Sequence, residues 1–271
     1  MPELPEVEIY RQNMVAWLGD DVVSGAVIVD PTLVVTHNVA IVERDVAGLR
    51  AESLRRIGKF LIWTTGAGSA LVTHLRMTGK WVPQSPGDPT RFVRAKLVAH
   101  SGKELAFVDA RRLGQWWWGR YHDVFHMCGV AEFGPDLLDA DLTAERLHDR
   151  LRGSRRNIKQ VLMDQGVLAG VGNIIASEGC FRARVHPAAI AGELSLDVVA
   201  ALLREIRAHC AEVIRDNVGE PVTYQGEPGA VNSFLVYGRD NQPCSFCQQS
   251  IRRVVMGGRS TYFCPQCQSL T

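Results

Sequence analysis

The chain predicts an α+β protein in three parts: a β-rich N-terminal region behind one helix, a helical middle, and a small four-cysteine hairpin at the C-terminal end. Three observations predict this. Short runs rich in β-branched and aromatic residues recur before residue 110, separated by Gly, Asp or Pro, a spacing that suits a sandwich or barrel rather than βαβ units. From about Thr143 the apolar residues change to a helical period. Finally, Cys244-x-x-Cys247 and Cys264-x-x-Cys267 stand sixteen residues apart, the spacing of a four-thiolate zinc site.

The elements follow in order. Residues 5–18 read as a helix, with Pro5 near its start, Glu6 and Glu8 in the first turn, and Gly19 to end it. Strands are expected at 26–29, 33–36, 59–64, 70–74, 92–98 and 104–108. Residues 132–136, with Gly134 and Pro135, form the expected linker into helices at 144–151, 157–163, 174–181 and 196–217. Residues 251–263 alternate, turn at Gly257-Gly258 and resume, which reads as a β-hairpin carrying Arg259 close to its tip. Each C-x-x-C pair can bind one side of a tetrahedral ion, and four protein ligands leave no open position, so the metal is structural.

Composition narrows the function. At 271 residues and 46% hydrophobic content the chain can hold about two domains plus a metal module. No stretch approaches the 18 or more apolar residues of a membrane span. Paired disulfides would leave Cys128, Cys180 and Cys210 as spare thiols, and no signal peptide precedes Pro2, so a reducing, cytoplasmic setting is expected. The net charge of +1 argues against a uniformly basic surface. Its distribution does not: residues 76–120 carry nine Lys or Arg against three acids, and 151–159 carry Arg152, Arg155, Arg156 and Lys159 with no acid. Such clusters can neutralise phosphates.

Four places could carry chemistry or recognition. Removal of Met1 leaves Pro2 with a secondary amine as the free terminus, and an α-amino group, with a reference pKa of about 7.7–8.0, is far less protonated near neutral pH than a lysine. Such an amine can attack an aldehyde-like carbon, with Glu3 beside it as acid or base; the plainer alternative is that Pro2 and Pro5 only stiffen a helix start. Lys59 follows Gly58 at a strand end, where a solvated charge is the ordinary outcome. Asn173 follows Gly170 and Gly172 at a helix N-cap, able to bind an anion or simply to cap. Met77, Arg111 and Leu113 sit in loops that close a strand at glycine, suited either to the core or to wedging into a duplex after a base leaves the stack.

Taken in order, Pro2 through Glu6, Gly58-Lys59-Phe60, Arg76 through Gly79, Asp109 through Leu113, Leu162 through Gln165, Gly170 through Glu178, His186-Pro187, Val236 through Arg239 and the four cysteines resemble the formamidopyrimidine-DNA glycosylases over nearly the whole chain. The resemblance implies a β-sandwich domain at 1–133, a helix-two-turn-helix domain at 134–225, and a lesion-covering loop with a zinc finger at 226–271. It implies a bacterial, nucleoid-associated and monomeric enzyme that removes oxidised purines from double-stranded DNA and cleaves the abasic site by β,δ-elimination. Pro2 is then the Schiff-base nucleophile, Glu3 the acid or base, Glu6 a supporting carboxylate and Lys59 a partner of the sugar and phosphate. Asn173, Lys159 and Arg259 hold phosphates, and Met77, Arg111 and Leu113 fill the vacated space. Cys244, Cys247, Cys264 and Cys267 bind one structural Zn2+. The chain departs from the family at Leu113, where a phenylalanine is usual, at Ile175, where a tyrosine is frequent, in a shortened loop at 225–233, and at 91–94, which lacks an expected histidine. An endonuclease VIII-like pyrimidine glycosylase and a non-catalytic zinc-finger damage-binding protein are the alternatives.

Overall fold

The computed structural model describes residues 2–270 except His37, 86–89, Pro221, Gly226, 228–229 and 231–232. The chain divides into two compact units, one formed by 1–132 with 214–229 and the other by 133–213 with 230–271. The final helix of the middle region therefore contributes its last residues to the first unit.

In the first unit, α1 (Leu4–Leu18) begins with Glu3 at its N-cap and ends at Gly19, whose φ of +59° suits glycine. Eight strands follow: β1 (Val23–Ile28), β2 (Leu54–Ile57), β3 (Phe60–Thr64), β4 (Ser69–His74), β5 (Lys80–Gln84), β6 (Val93–Ala99), β7 (Glu104–Val108) and β8 (Gln115–Arg120). Two short helices, α2 (Val39–Asp45) and α3 (Tyr121–Met127), flank them. The strands make two four-stranded antiparallel sheets, ordered β1-β6-β7-β5 and β2-β3-β4-β8. The sheets face each other through aromatic side chains. Trp81 of β5 stacks on Trp116 of β8 at 5.2 Å between centroids, and Phe107 of β7 meets both rings edge-on. Of the two arrangements open to the sequence, this is the sandwich.

The expected strand at 33–36 is not formed. Asp30 accepts from the Thr32 N–H and hydroxyl, Pro31 follows it, and the chain makes a 3-10 turn at Pro31–Leu33 with a single bridge from Val34 to Trp116. Local side-chain-to-backbone bonding has outcompeted the ladder. Three strands and two helices went unpredicted. β2 carries two arginines, β5 contains Pro83, and the tryptophan run of β8 is buried throughout, with α3 packed on it, so no alternation betrays it.

In the second unit, α4 (Ala144–Leu151), α5 (Ile158–Leu162), α6 (Asn173–Arg182) and most of α7 (Leu196–Asn217) precede the hairpin of β9 (Arg252–Met256) and β10 (Arg259–Phe263). Helices α4 and α7 match the expected spans. Gly257 and Gly258, with φ of +55° and +72°, make the tight turn at the hairpin tip. β9 is largely exposed, while β10 buries Thr261 and Phe263. A small apolar cluster, in which Phe181 of α6 meets Ile251 and Cys264 at the two ends of the hairpin, joins it to α6 together with polar contacts.

Candidate active site

At the amino end, Pro2 is buried and Glu3 is 2% exposed. Glu3 caps α1 in a reciprocal box: its side chain accepts from the Glu6 N–H, while the Glu6 carboxylate accepts from the Glu3 N–H at 2.7 Å. Two carboxylates are thereby locked next to Pro2. Burial raises the Glu6 pKa against the lowering effect of that backbone bond, and the nearby Glu3 charge raises it further. The helix is tied to the sheet below by Arg56 of β2, which reaches Glu8 at 3.2 Å while Arg11 holds the same carboxylate at 2.7 Å.

Lys59 stands in the two-residue turn between β2 and β3, after Gly58 with φ of +56°. Across the ladder from Phe60 lies His74, whose ring meets Phe60 edge-on at 4.5 Å and whose Nδ1 accepts from the Arg76 N–H at 2.9 Å. Burial, helped by the charges of Arg76 and Lys59, lowers the His74 pKa to about 3. A neutral imidazole adds no positive charge at this turn, where Arg56 also donates to the Gly58 carbonyl at 3.0 Å.

The loops that carry Met77 and those that carry Arg111 and Leu113 meet at one residue, Asp109. It is 1% exposed. One oxygen accepts from the Thr78 hydroxyl and from the Arg111 N–H at 3.1 Å, and the other accepts from the N–H groups of Leu113 and Gly114 at 2.8 and 2.7 Å. Phe107 packs so closely beneath that a Cβ on Gly79 or Gly114 would come within 2.8 or 2.6 Å of its ring. Arg112, with φ of +56°, turns away and clasps Asp30 at 2.6 and 3.0 Å. That grip lowers the Asp30 pKa to about 2. With the Arg112 guanidinium held by Asp30, Arg111 is exposed and Leu113 is 40% exposed, while Met77 is partly buried. On the far side, Tyr224 donates its hydroxyl to the Gly79 carbonyl at 2.5 Å. Gln225, Glu227, Ala230 and Ser233 are the described residues of the expected lesion-covering loop; its remaining positions lie outside the described residues.

In the second unit Asn173 is the first residue of α6 rather than its N-cap, which is Gly172, one residue earlier than expected. Its amide faces the hairpin: Nδ2 donates to the Ser260 carbonyl at 3.0 Å, and Oδ1 accepts from Lys159 Nζ at 2.5 Å. Lys159 departs from the expectation of a phosphate contact. It is 1% exposed, and its ammonium also donates to Thr261 Oγ1 at 2.7 Å and the Ser260 carbonyl at 3.3 Å. A buried cation needs such acceptors, so this lysine binds α5, α6 and β10 together. Arg259, next to Ser260, is exposed.

Two further polar residues, given no role by the sequence reading, hold this unit. Glu178, fully buried in α6, accepts from the N–H groups of Leu235, Val236 and Tyr237 at 2.8–2.9 Å. Gln165 donates to the Met163 and Val171 carbonyls and accepts from the Gly170 N–H, each at 2.9 Å, which fixes the turn before α6. A lone glutamate in the small, apolar run of α6 was the available signal for the first; Asp109, an Asx residue just past a strand, offered a similar one.

The four cysteine Sγ atoms lie within 4.8 Å of one another, with Cys244–Cys267 at 3.9 Å and Cys247–Cys264 at 3.4 Å. Bonds of about 2.3 Å to a tetrahedral zinc require sulfurs about 3.8 Å apart, so the donors fit that ion. The Phe246 and Cys267 N–H groups point at the Cys244 and Cys264 sulfurs. Phe246 stacks on Phe181 of α6, and Gln268 bridges the Cys264 N–H and the Val185 carbonyl. Among the described residues no helix is long and apolar enough to cross a membrane.

Comparison with known proteins matches each part to the same kind of enzyme. Residues 1–116 match the formamidopyrimidine-DNA glycosylase N-terminal domain, 133–222 the H2TH domain of the same enzymes, and 241–270 the zinc finger found in FPG and IleRS. A formamidopyrimidine-DNA glycosylase of Bacillus cereus is 31% identical over 99% of both chains, and one of Synechocystis is 34% identical over 99% of this chain and 98% of its own. A Lactococcus lactis FPG (MutM) in complex with Fapy-dG containing DNA superposes with a TM-score of 0.85 at 27% identity, covering 99% of this chain and 100% of that one. MutM in complex with carbocyclic 8-oxo-G containing DNA gives 0.85 at 28% identity with the same coverage.

Proposed function

The chain belongs to the formamidopyrimidine-DNA glycosylase family, and from that premise we propose that Pro2, freed by removal of Met1, is its catalytic nucleophile. The protein is a base-excision DNA glycosylase and AP lyase for oxidised purines, 8-oxoguanine and formamidopyrimidines among them, in duplex DNA. Its four thiolates hold one structural zinc ion. We take the nucleoid, where its substrate lies, as its place of action.

The unprotonated Pro2 amine attacks C1′ of the damaged nucleotide, and the C1′–N bond breaks with its electron pair leaving on the base, which takes up a proton. Ring opening gives an iminium between Pro2 and C1′. Loss of a C2′ proton then expels the 3′ phosphate, and a second elimination expels the 5′ phosphate. Glu3 moves protons at the sugar ring. Glu6, its carboxyl raised by burial and bonded to the Glu3 N–H, fixes where Glu3 stands. Lys59 balances charge at the sugar and its phosphate. Asn173 and Arg259 take flanking phosphates, with Lys159 steadying both from within. Met77, Arg111 and Leu113 occupy the space left by the everted nucleotide, whose unstacking costs a few kcal/mol. Leu113 makes that plug smaller and without a ring, so opposite-base selectivity is expected to differ from enzymes with an aromatic wedge.

The observation that carries this reading is the buried Pro2 directly before the reciprocal Glu3–Glu6 cap, which sets two carboxylates in the first turn after the amine. The test is borohydride trapping of the Met1-processed protein on a duplex containing 8-oxoguanine opposite cytosine. A covalent complex is expected, and none from protein with an uncleaved N-terminal extension that still binds the duplex. Trapping by the extended protein would remove Pro2 as nucleophile; trapping on an abasic duplex alone would remove the oxidised-purine substrate.

A further inference from the structure

Phe92 combines two features that work against each other. Its side chain is 45% exposed, and its φ is +66°. A bulky non-glycine residue pays for left-handed backbone with strain, and a ring left this exposed recovers little of that cost through burial. Strain of this kind persists where the surroundings enforce it, and here they do. The Phe92 carbonyl accepts from the Asp109 N–H at 3.0 Å, Arg94 Nε donates to the Asp109 carbonyl at 2.8 Å, and the ladder slips register between Val93 and Ala95 directly after it. Asp109 is also the residue that holds Thr78, Arg111, Leu113 and Gly114. One rigid hub thus orients the exposed ring together with both wedge loops.

The surroundings of the ring indicate what it meets. The Arg91 guanidinium lies 5.1 Å from its centroid, and Arg111 projects from the same hub. An exposed aromatic ring with an arginine against it is the kind of arrangement that stacks on an unpaired base while the cation meets a phosphate. Leu113, without a π-face, cannot do this. We propose that Phe92 stacks on a nucleobase of the opened duplex beside the gap that Leu113 fills, supplying the aromatic contact from a different strand end. This rests on the reading that the Met77 and Arg111–Leu113 loops enter the DNA.

The strain itself supplies the test. In Phe92→Gly the ring is lost but the positive φ becomes free of cost, so the variant is expected to melt at or above the wild-type temperature while binding a duplex with a stable abasic analogue about tenfold more weakly, the loss of one base–aromatic stack. Phe92→Trp is expected to retain affinity. A 2-aminopurine beside the analogue is expected to brighten less on binding wild type, whose ring stacks on it, than on binding Phe92→Gly. Wild-type affinity in Phe92→Gly, with Leu113→Ala weakened in parallel, overturns the proposal alone. Wild-type affinity in both variants overturns the loop reading with it. A melting temperature lowered in Phe92→Gly makes the ring structural and also overturns the proposal.

Discussion

The wedge loops and the cysteine hairpin both hold exposed residues in fixed positions, yet they are fastened by opposite means. The loops hang on one protein side chain. Asp109 accepts from three backbone N–H groups and one hydroxyl, over a sandwich whose aromatic core would exist without them. The hairpin has little core of its own: four residues of β9 are exposed, and a lone two-stranded hairpin is marginal in water. Its position comes from metal ligation, from Lys159 and Asn173 against Ser260 and Thr261, and from Glu178 gripping the chain that leads into it. A region with a large core nearby can be tuned by one hydrogen-bonding residue, whereas a region without one needs covalent-strength ligands.

The largest effect is expected where the hairpin loses its metal. Cys264→Ser, or strong chelation of the wild type, removes an interaction worth roughly 10 kcal/mol or more in small zinc modules. Metal analysis should fall from one zinc per chain to none, and duplex affinity should collapse while the melting of the first unit is spared. Retained zinc and unchanged binding would place the fastening elsewhere. Next is Asp109→Ala, which strands the buried Gly114 N–H and its neighbours and is expected to cost about 3 kcal/mol by denaturant unfolding. Its mark is selective: the everted nucleotide should be poorly held, with DNA affinity lowered, while borohydride trapping on an already abasic single strand survives. Equal loss in both assays would show that Asp109 supports the whole sandwich rather than the loops.

The smallest effect comes from His74. Its pKa is about 3 in the folded protein, below the unfolded value of about 6.5. Between these values the unfolded chain binds more protons, so the stability His74 contributes is complete above pH 6.5 and declines as pH falls toward 3, by at most about 1.4 kcal/mol per unit. Melting temperatures of the wild type are expected to fall between pH 7 and pH 5 more steeply than those of His74→Gln. Identical slopes would mean that the ring is not held neutral beside Lys59.

Much of the site was legible in order along the chain, because its parts are short motifs whose chemistry is local. The amine at Pro2, the C-x-x-C pairs, the Gly257-Gly258 turn and the periodicity of α7 each follow from a few adjacent residues. Residues whose roles were missed act across long separations. Arg56 is buried in a strand because Glu8 neutralises it from another element, and Lys159 points inward because Asn173 and Thr261 wait there. The strand expected at 33–36 failed because Asp30 captured the chain first, and Asp30 in turn was claimed by Arg112.

By itself the sequence determined the architecture and the reactive groups, since hydrophobic period, turn residues and ligand spacing are properties of neighbours. Only the tertiary structure decided which charged residues face outward. Lys159 carries the same charge as Arg259 and Arg111, but it meets buried acceptors that offset its desolvation, while the two arginines are left exposed. That choice depends on partners up to a hundred residues away, which no local pattern records.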